Sequence, residues 1–217
     1  MATPSTSGGI TLRLPYKYSP SPASQTIPFP PLDFLHRTWS VTHSTLSMWR
    51  SARNVRITYR PLPATKDGIP KIDDLVEYEN LSGSGSVKSV SGVDTGNWSL
   101  SNIDNDTTSW DWRGSGLLFF VSSHWEILGW GEIKDEVTGE VKERWVVTWF
   151  APTLFTKEGV DVYSDRREGG SREVVEEVLA KLKEMVEEAG EGARGLREMV
   201  EKDMREVAIN LPWKERS

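Results

Sequence analysis

Two histidines and a glutamate are the residues whose types and spacing could support acid–base chemistry. His124 and Glu126 share one face of a predicted strand, and His43 follows Trp39 at an even spacing. If Trp39 points into a β-barrel, strand alternation also points His43 inward. An imidazole titrates near neutral pH, and a nearby carboxylate can orient it. His43, His124 and Glu126 are therefore the candidate catalytic residues, the alternative being that the histidines are core residues hydrogen-bonded to nearby carbonyls.

Aromatic side chains supply the candidate ligand contacts. The chain has 10 Trp, 6 Phe and 5 Tyr, and buried indoles and phenols combine a large apolar ring with one polar atom. Trp110 and Trp112 bracket an Asp in a segment that we interpret as a loop, where they either stack on a ligand or cover a barrel edge. We predict a ligand site formed by His43, Tyr59, Trp110, Trp112, His124, Trp149 and Tyr163.

Several other kinds of site lack the residues that they need. The chain has no Cys, which excludes disulfides and thiolate chemistry. The Gly-Ser stretches at 83–86 and 114–116 lack the Lys-Ser/Thr pair of a phosphate loop. Three His without repeated ligand spacing predict no metal site, and we expect no cofactor. A net charge of −6 argues against nucleic-acid binding. No apolar run approaches the roughly 18 residues of a membrane span.

Alternating apolar residues predict antiparallel β structure from residue 32 to about residue 167. The clearest case is segment 55–60, in which Val55, Ile57 and Tyr59 share one face and polar residues share the other. About eight such segments at short spacing are typical of a barrel or a sandwich. The predicted strands lie at 39–45, 55–60, 75–80, 87–93, 97–100, 117–128, 144–150 and 160–164.

The composition changes on both sides of this β region. Residues 1–31 are rich in Pro and Ser and contain no acid, so we predict an arm that is disordered or draped over the surface and buries little. No secretory signal is evident there, and we expect a cytoplasmic location. Residues 171–217 follow a helical period that is interrupted by Gly190, Gly192 and Gly195. We therefore divide the chain into an arm (1–31), a barrel (32–170) and a helical segment packed on the barrel (171–217), which could also support a homodimer.

Residues 32–190 resemble the lipocalin (calycin) family. Pro31–Thr42, which reads Pro-Leu-Asp-Phe-Leu-His-Arg-Thr-Trp-Ser-Val-Thr, is similar to the lipocalin opening, a turn of helix that leads to a Trp on the first strand. The resemblance implies that Trp39 closes the barrel floor and that Arg166, just before the helix, packs over its indole by a cation–π contact. Arg37 stands where the family usually has Gly. Phrases such as Ser123–Gly131 also resemble fungal lipocalin-like proteins of unassigned role.

These observations favour a single eight-stranded antiparallel lipocalin-like barrel followed by C-terminal amphipathic α-helices. We predict that it binds a small hydrophobic or aromatic molecule in its interior. The alternative is a cofactor-independent isomerase or cyclase of the pericyclase kind that shapes a natural-product substrate in the same cavity, since positioning alone can contribute about 7–11 kcal/mol to catalysis. A third interpretation is a structural protein that binds a partner through its helices.

Overall fold

Eight antiparallel strands form a closed barrel in the computed structural model, which describes residues 9–19, 27–99 and 106–216. The strands, with a ninth short one, are β1 (Thr38–Ser44), β2 (Ala52–Leu62), β3 (Lys71–Asn80), β4 (Lys88–Gly96), β5 (Ser109–Gly114), β6 (Ser122–Lys134), β7 (Val141–Phe150), β8 (Gly159–Ser164) and β9 (Arg205–Glu206). From β1 to β8 each strand pairs with the next, and β1 also pairs with β8, which closes the barrel. The fold class predicted from the sequence is confirmed.

Strand alternation decides which side chains fill the barrel. On β2, Val55, Ile57 and Tyr59 are buried in the inner core, as the sequence pattern predicts. On the neighbouring β3, Ile72 and Val76 pack into the same core, because Val76 lies opposite Ile57 in the register. The inner core is thus built from every second residue of strands whose other face points outward.

Strand β5 differs from the sequence prediction. The Trp110–Trp112 segment, interpreted as a loop, is a strand in which Trp110 pairs with Trp125 of β6. Of the strand predicted at 97–100, residues 97–99 are not in a strand and Leu100 lies outside the described residues. The polar and glycine residues around β5 obscured its strand pattern in the sequence. Gly92 on β4 leaves room for the Trp112 indole. The apolar run predicted as a strand from residue 117 begins instead as a 3₁₀ helix, Gly116–Leu118, and the strand starts later.

In the described part of the chain, three α-helices accompany the barrel: α1 (Leu32–Leu35), α2 (Arg172–Glu188) and α3 (Arg194–Asp203). The buried stripe of α2 consists of Val174, Val178, Leu182 and Val186, which is the helical period seen in the sequence. This stripe packs on the outer face of β7 and β8 to form a second core outside the barrel. No helix in the described ranges is long and apolar enough to cross a membrane.

The described part of the N-terminal arm packs against the barrel. Ile10 and Leu14 are buried in the outer core, and the Arg13 amide donates to the Leu128 carbonyl at 2.8 Å. Ile27 is buried in the inner core. The expectation that this segment buries little is therefore wrong for residues 9–19 and 27–31, because Ile10, Leu14 and Ile27 are buried in the two cores. Residues 1–8 and 20–26 lie outside the described part of the chain.

Trp39 is fully buried at the end of the barrel where β1 begins, which we call the floor. Its Nε1 donates to the Leu35 carbonyl at 3.1 Å, so α1 and β1 are tied together. The guanidinium over this indole belongs to Arg37, 5.6 Å from the ring centroid. The prediction for Arg166 is wrong: its side chain forms ion pairs with Glu143 and Glu168 instead. Those two carboxylates hold it at the surface, whereas Arg37 reaches the indole from two residues away on the same segment.

Candidate functional site

A cavity of about 440 Å³ occupies the barrel interior above this floor. Its walls are mainly apolar and include Leu46, Trp49, Ile57, Val76, Trp112 and Trp125. Lipocalin-sized barrels of eight strands have room either for packed side chains or for one small ligand. The volume lies within the range of about 300–1,000 Å³ that is typical of small-molecule sites. The interior of this barrel is therefore large enough to hold a ligand.

The cavity opens at the end of the barrel opposite Trp39. Met48 and Phe155 belong to its lining and are also 40% and 66% exposed, so they lie at the mouth. Further large apolar side chains from the β5–β6 and β7–β8 loops are exposed, and the rings of Phe120 and Phe155 are 6.4 Å apart. We call this group the apolar rim, and it consists of Met48, Leu117, Phe119, Phe120, Leu154 and Phe155. Exposed apolar clusters of this kind commonly mark binding sites.

Two aspartates interrupt the apolar lining. Asp74 lies on β3 directly opposite Tyr59, and Asp161 lies on β8 opposite Ser44 and Thr148. Both line the cavity, and they are only 8% and 4% exposed. A carboxyl group in an apolar wall is costly unless its hydrogen bonds are satisfied. These two side chains are therefore the polar groups most in need of an explanation.

Burial changes the acidity of both carboxyl groups. It raises the pKa of Asp74 to about 7, and the charge of the adjacent Asp73 adds to the effect. Burial also raises the pKa of Asp161 to about 7, although a hydrogen bond from Ser44 and the positive charge of Arg50 act in the opposite direction. Each group consequently changes its charge near neutral pH, which an exposed Asp does not do.

A third buried aspartate and two buried tyrosines also have shifted pKa values. Burial, together with the charge of Asp74, raises the pKa of Asp94 well above its usual value, while the Trp125 indole donates to its Oδ1 at 2.7 Å. Burial likewise raises the pKa of Tyr59 and Tyr163 well above 10. The two phenols therefore stay neutral and can donate hydrogen bonds at physiological pH.

Part of the hydrogen-bonding capacity of these acids is unused. Within the described residues, Oδ1 of Asp74, Oδ1 of Asp161 and Oδ2 of Asp94 are buried without a hydrogen-bond partner. Leaving a buried polar atom unpaired costs about 1–3 kcal/mol, and more for a charged group. The protein therefore keeps an energetically costly acidic cluster beside an apolar cavity.

Three of the predicted ligand contacts line this cavity: Tyr59, Trp112 and Tyr163. Trp110 does not line it, because it lies in the inner core and stacks on Trp125 at 5.9 Å. Trp149 is on the outer face of β7, where it packs in the core under the helices and its Nε1 donates to Glu158 at 2.7 Å. Its placement in the ligand site is therefore wrong, since Trp149 alternates with the inward residues of its strand.

His43 faces away from the cavity because of a β-bulge in β1. The register shifts between Val41 and His43, so that Ser44 becomes the residue opposite Asp161. His43 lies opposite Val162, which packs in the outer core, and it is not among the residues that line the cavity. A bulge adds one residue to a strand and thereby reverses the alternation beyond it. The prediction that His43 points inward is wrong for this reason.

His124 and Glu126 also lie outside the cavity. Nδ1 of His124 is 2.8 Å from Asp111, and its Nε2 is 3.5 Å from Glu126, which forms a buried ion pair with Arg13 at 2.7 Å. Burial lowers the pKa of His124, but its hydrogen bonds to Glu126 and Asp111 outweigh burial and raise it. His43 and His124 therefore do not converge, and the isomerase alternative loses the acid–base residues proposed for it.

Asp74 and Asp161 were not among the residues predicted for the site, although the apolar residues beside each of them bear on its position. Asp74 occupies the inward position between Ile72 and Val76. Asp161 stands between Val160 and Val162, and this apolar pair suggests that Asp161 is on the exposed face. In fact both valines pack under the helices, and Asp161 faces the cavity. When both faces of a strand are buried, the alternation of polar and apolar residues does not show which face lines the cavity.

The topology identifies the architecture. Eight antiparallel strands follow one another around the barrel, a helical turn leads to the floor Trp39, and α2 packs on the outside after β8. This up-and-down arrangement of eight strands is that of the lipocalins. The chain has a lipocalin-like fold.

Comparisons with known proteins give similar structures but no similar sequences. No family model matches the chain, and no curated protein matches it. Among solved structures, apocrustacyanin C1 is similar at 11% identity and a TM-score of 0.49, over 94% of this chain and 90% of that one. Lobster apocrustacyanin A1 is similar at 10% identity and a TM-score of 0.47, over 94% and 93%. The siderocalin Ex-FABP is similar at 10% identity and a TM-score of 0.45, over 82% and 95%.

Proposed function

We propose that this protein binds a small, mostly apolar molecule inside its lipocalin-like barrel. The observation that carries the proposal is the cavity of about 440 Å³ with its apolar and aromatic walls. A barrel whose stability alone mattered would gain from filling that space with apolar side chains, because burying apolar surface contributes about 25 cal/mol per Å². A ligand that occupies the cavity recovers much of this energy.

The mouth of the barrel supports the same proposal. Met48 and Phe155 of the apolar rim belong both to the lining and to the exposed surface, so an apolar molecule meets a continuous apolar path from the rim to the interior. The rim belongs to loops, which move more readily than strands and so can admit a ligand. Entry between these loops leaves the barrel floor at Trp39 undisturbed.

Titration with decanol, a neutral apolar alcohol, tests the proposal. Because Trp112 and Trp125 line the cavity, we expect their emission to change as decanol displaces water from it. Val76→Trp places a large ring in the cavity and should weaken decanol binding by about tenfold or more, since overpacking leaves no room for the ligand. Leu75→Trp, on the outward face of the same strand, is the matched control and should bind as the original protein does.

Two results would contradict the proposal. One is the absence of any saturable emission change with decanol. The other is equal binding by the Val76→Trp and Leu75→Trp variants, because that result would place the alcohol outside the barrel. Circular dichroism of both variants establishes that each has kept its strands.

A further inference from the structure

We propose that the ligand of this cavity carries a basic amine, whose ammonium group binds between Asp74 and Asp161 while its apolar part fills the remaining space. This inference rests on the proposed function and adds to it a ligand class. It starts from the acidic cluster of the cavity, which consists of Asp74, Asp94 and Asp161.

The sign of the charge in the lining is the first reason. None of the described residues that line the cavity is Lys, Arg or His, whereas two of them are Asp. An anionic ligand such as a fatty acid would bring a carboxylate towards Asp74 and Asp161 without any cation in the wall to bind it. A ligand with an ammonium group meets the opposite charge, and charge-assisted hydrogen bonds of this kind are the stronger ones.

The three acids of the cluster lie near the same two tyrosines. Tyr59 and Tyr163 each interact electrostatically with all three aspartates, so the two phenols lie within reach of the whole cluster. Tyr59 stands opposite Asp74, and Tyr163 is the next inward residue after Asp161 on β8. The two lining carboxyl groups therefore both lie near the same pair of phenols in the cavity.

The unused hydrogen-bonding capacity is the second reason. One oxygen of Asp74 and one of Asp161 are buried without a partner among the described residues. An ammonium group has three donors and no acceptor, which suits a site that offers acceptors.

The other charged groups near the cluster do not cancel its negative charge. Arg50 interacts with Asp161 and partly offsets its charge, while its Nη2 donates to the main-chain carbonyls of Ser44 and Asp203, at 2.9 and 2.6 Å. The titratable and charged groups that act on the three acids are Tyr59, Asp73, Asp111 and Tyr163 in addition to Arg50. Arg50 is thus the one cation among these groups, and the others are acids or neutral phenols.

Three probes of equal chain length test the inference: decylamine, decanol and decanoic acid. Isothermal titration calorimetry at about pH 8, where the amine is protonated and Asp74 and Asp161 are mostly ionised, gives a Kd for each probe. We expect decylamine to bind about tenfold or more tightly than decanol, and decanoic acid to bind most weakly. Decylamine should also bind more weakly at about pH 6, because Asp74 and Asp161 are then protonated.

Single substitutions connect this preference to the acids. Asp161→Asn and Asp74→Asn keep the side-chain size and should each weaken decylamine binding by about tenfold, while decanol binding changes by less than about twofold. Asp67→Asn, in the exposed turn between β2 and β3, removes the same charge far from the lining and should leave all three values unchanged.

Equal affinities for decylamine and decanol, a preference for decanoic acid, or an amine preference that survives both Asn substitutions would each overturn the inference and leave the proposed function standing. Failure of all three probes to bind would instead refute the proposed function, and the inference with it.

Discussion

Replacing Asp161 by Asn should make the protein more stable at alkaline pH and remove part of its pH dependence. Burial raises the pKa of Asp161 from 3.8 to about 7, so the folded protein holds this proton more tightly than the unfolded chain does. The stability that comes from this difference is fully present below about pH 4 and is lost as the pH rises through about 7. Stability therefore falls with rising pH in the original protein.

The magnitude follows from the two pKa values. A tenfold difference in proton affinity is equivalent to about 1.4 kcal/mol. Between about pH 5 and about pH 8, the ionisation of Asp161 should thus lower the free energy of unfolding by about 3 kcal/mol. The Asn side chain has no proton to lose, and it can still accept the hydrogen bond from Ser44. The Asp161→Asn variant should match the original protein below about pH 4 and exceed its stability by about 4 kcal/mol near pH 8, which is the full difference of about three pKa units.

Urea denaturation followed by tryptophan fluorescence at several pH values measures both stability curves. Other titrating groups, including Asp74, affect the two proteins alike, so the difference between the curves isolates Asp161. Asp67→Asn, which removes an exposed carboxylate, is the control and should follow the original curve. Parallel curves for the Asp161→Asn variant and the original protein would show that Asp161 has an ordinary pKa, and the reasoning about its burial would be refuted.

Three further predictions concern the floor and the arm. Trp39→Ala should lower the free energy of unfolding by about 3–5 kcal/mol in urea denaturation, and a loss below about 1 kcal/mol would contradict its role as the floor. Arg37→Ala should destabilise by about 1–2 kcal/mol, whereas Arg166→Ala, at the surface, should cost less than about 1 kcal/mol; the reverse order would restore Arg166 to the indole. Deleting residues 1–19 should lower the free energy of unfolding by about 3 kcal/mol or more, because apolar burial is lost and Glu126 loses its ion pair with Arg13. An unchanged Tm would contradict this prediction.

Local sequence periodicity was enough to predict much of the architecture. The alternation of Val55, Ile57 and Tyr59 predicted β2, and the helical stripe from Val174 to Val186 predicted α2. Both patterns are reliable because the apolar residues of each element lie on one face and the polar residues on the other, so polarity indicates orientation. The opening around Trp39 likewise pointed to an eight-stranded barrel with this residue at its floor.

The contents of the cavity could not be predicted in the same way. Strands β7 and β8 are buried on both faces, one towards the cavity and one towards α2, so apolar residues such as Val160 and Trp149 did not reveal the inner side. On β1, the bulge before His43 reversed the alternation, so that Ser44 and not His43 lies opposite Asp161.

The sequence by itself determined the class of fold, because strand and helix periods depend on neighbours a few residues apart. Only the tertiary structure decided which acids line the interior and which arginine covers Trp39. Asp74, on β3, and Asp161, on β8, line the same cavity because closure of the barrel joins β8 to β1 and β1 to β2. Arg37 and Arg166 differ in role because of the carboxylates that surround each of them in the folded chain. Such outcomes depend on contacts between residues far apart in the chain, and no local pattern encodes them.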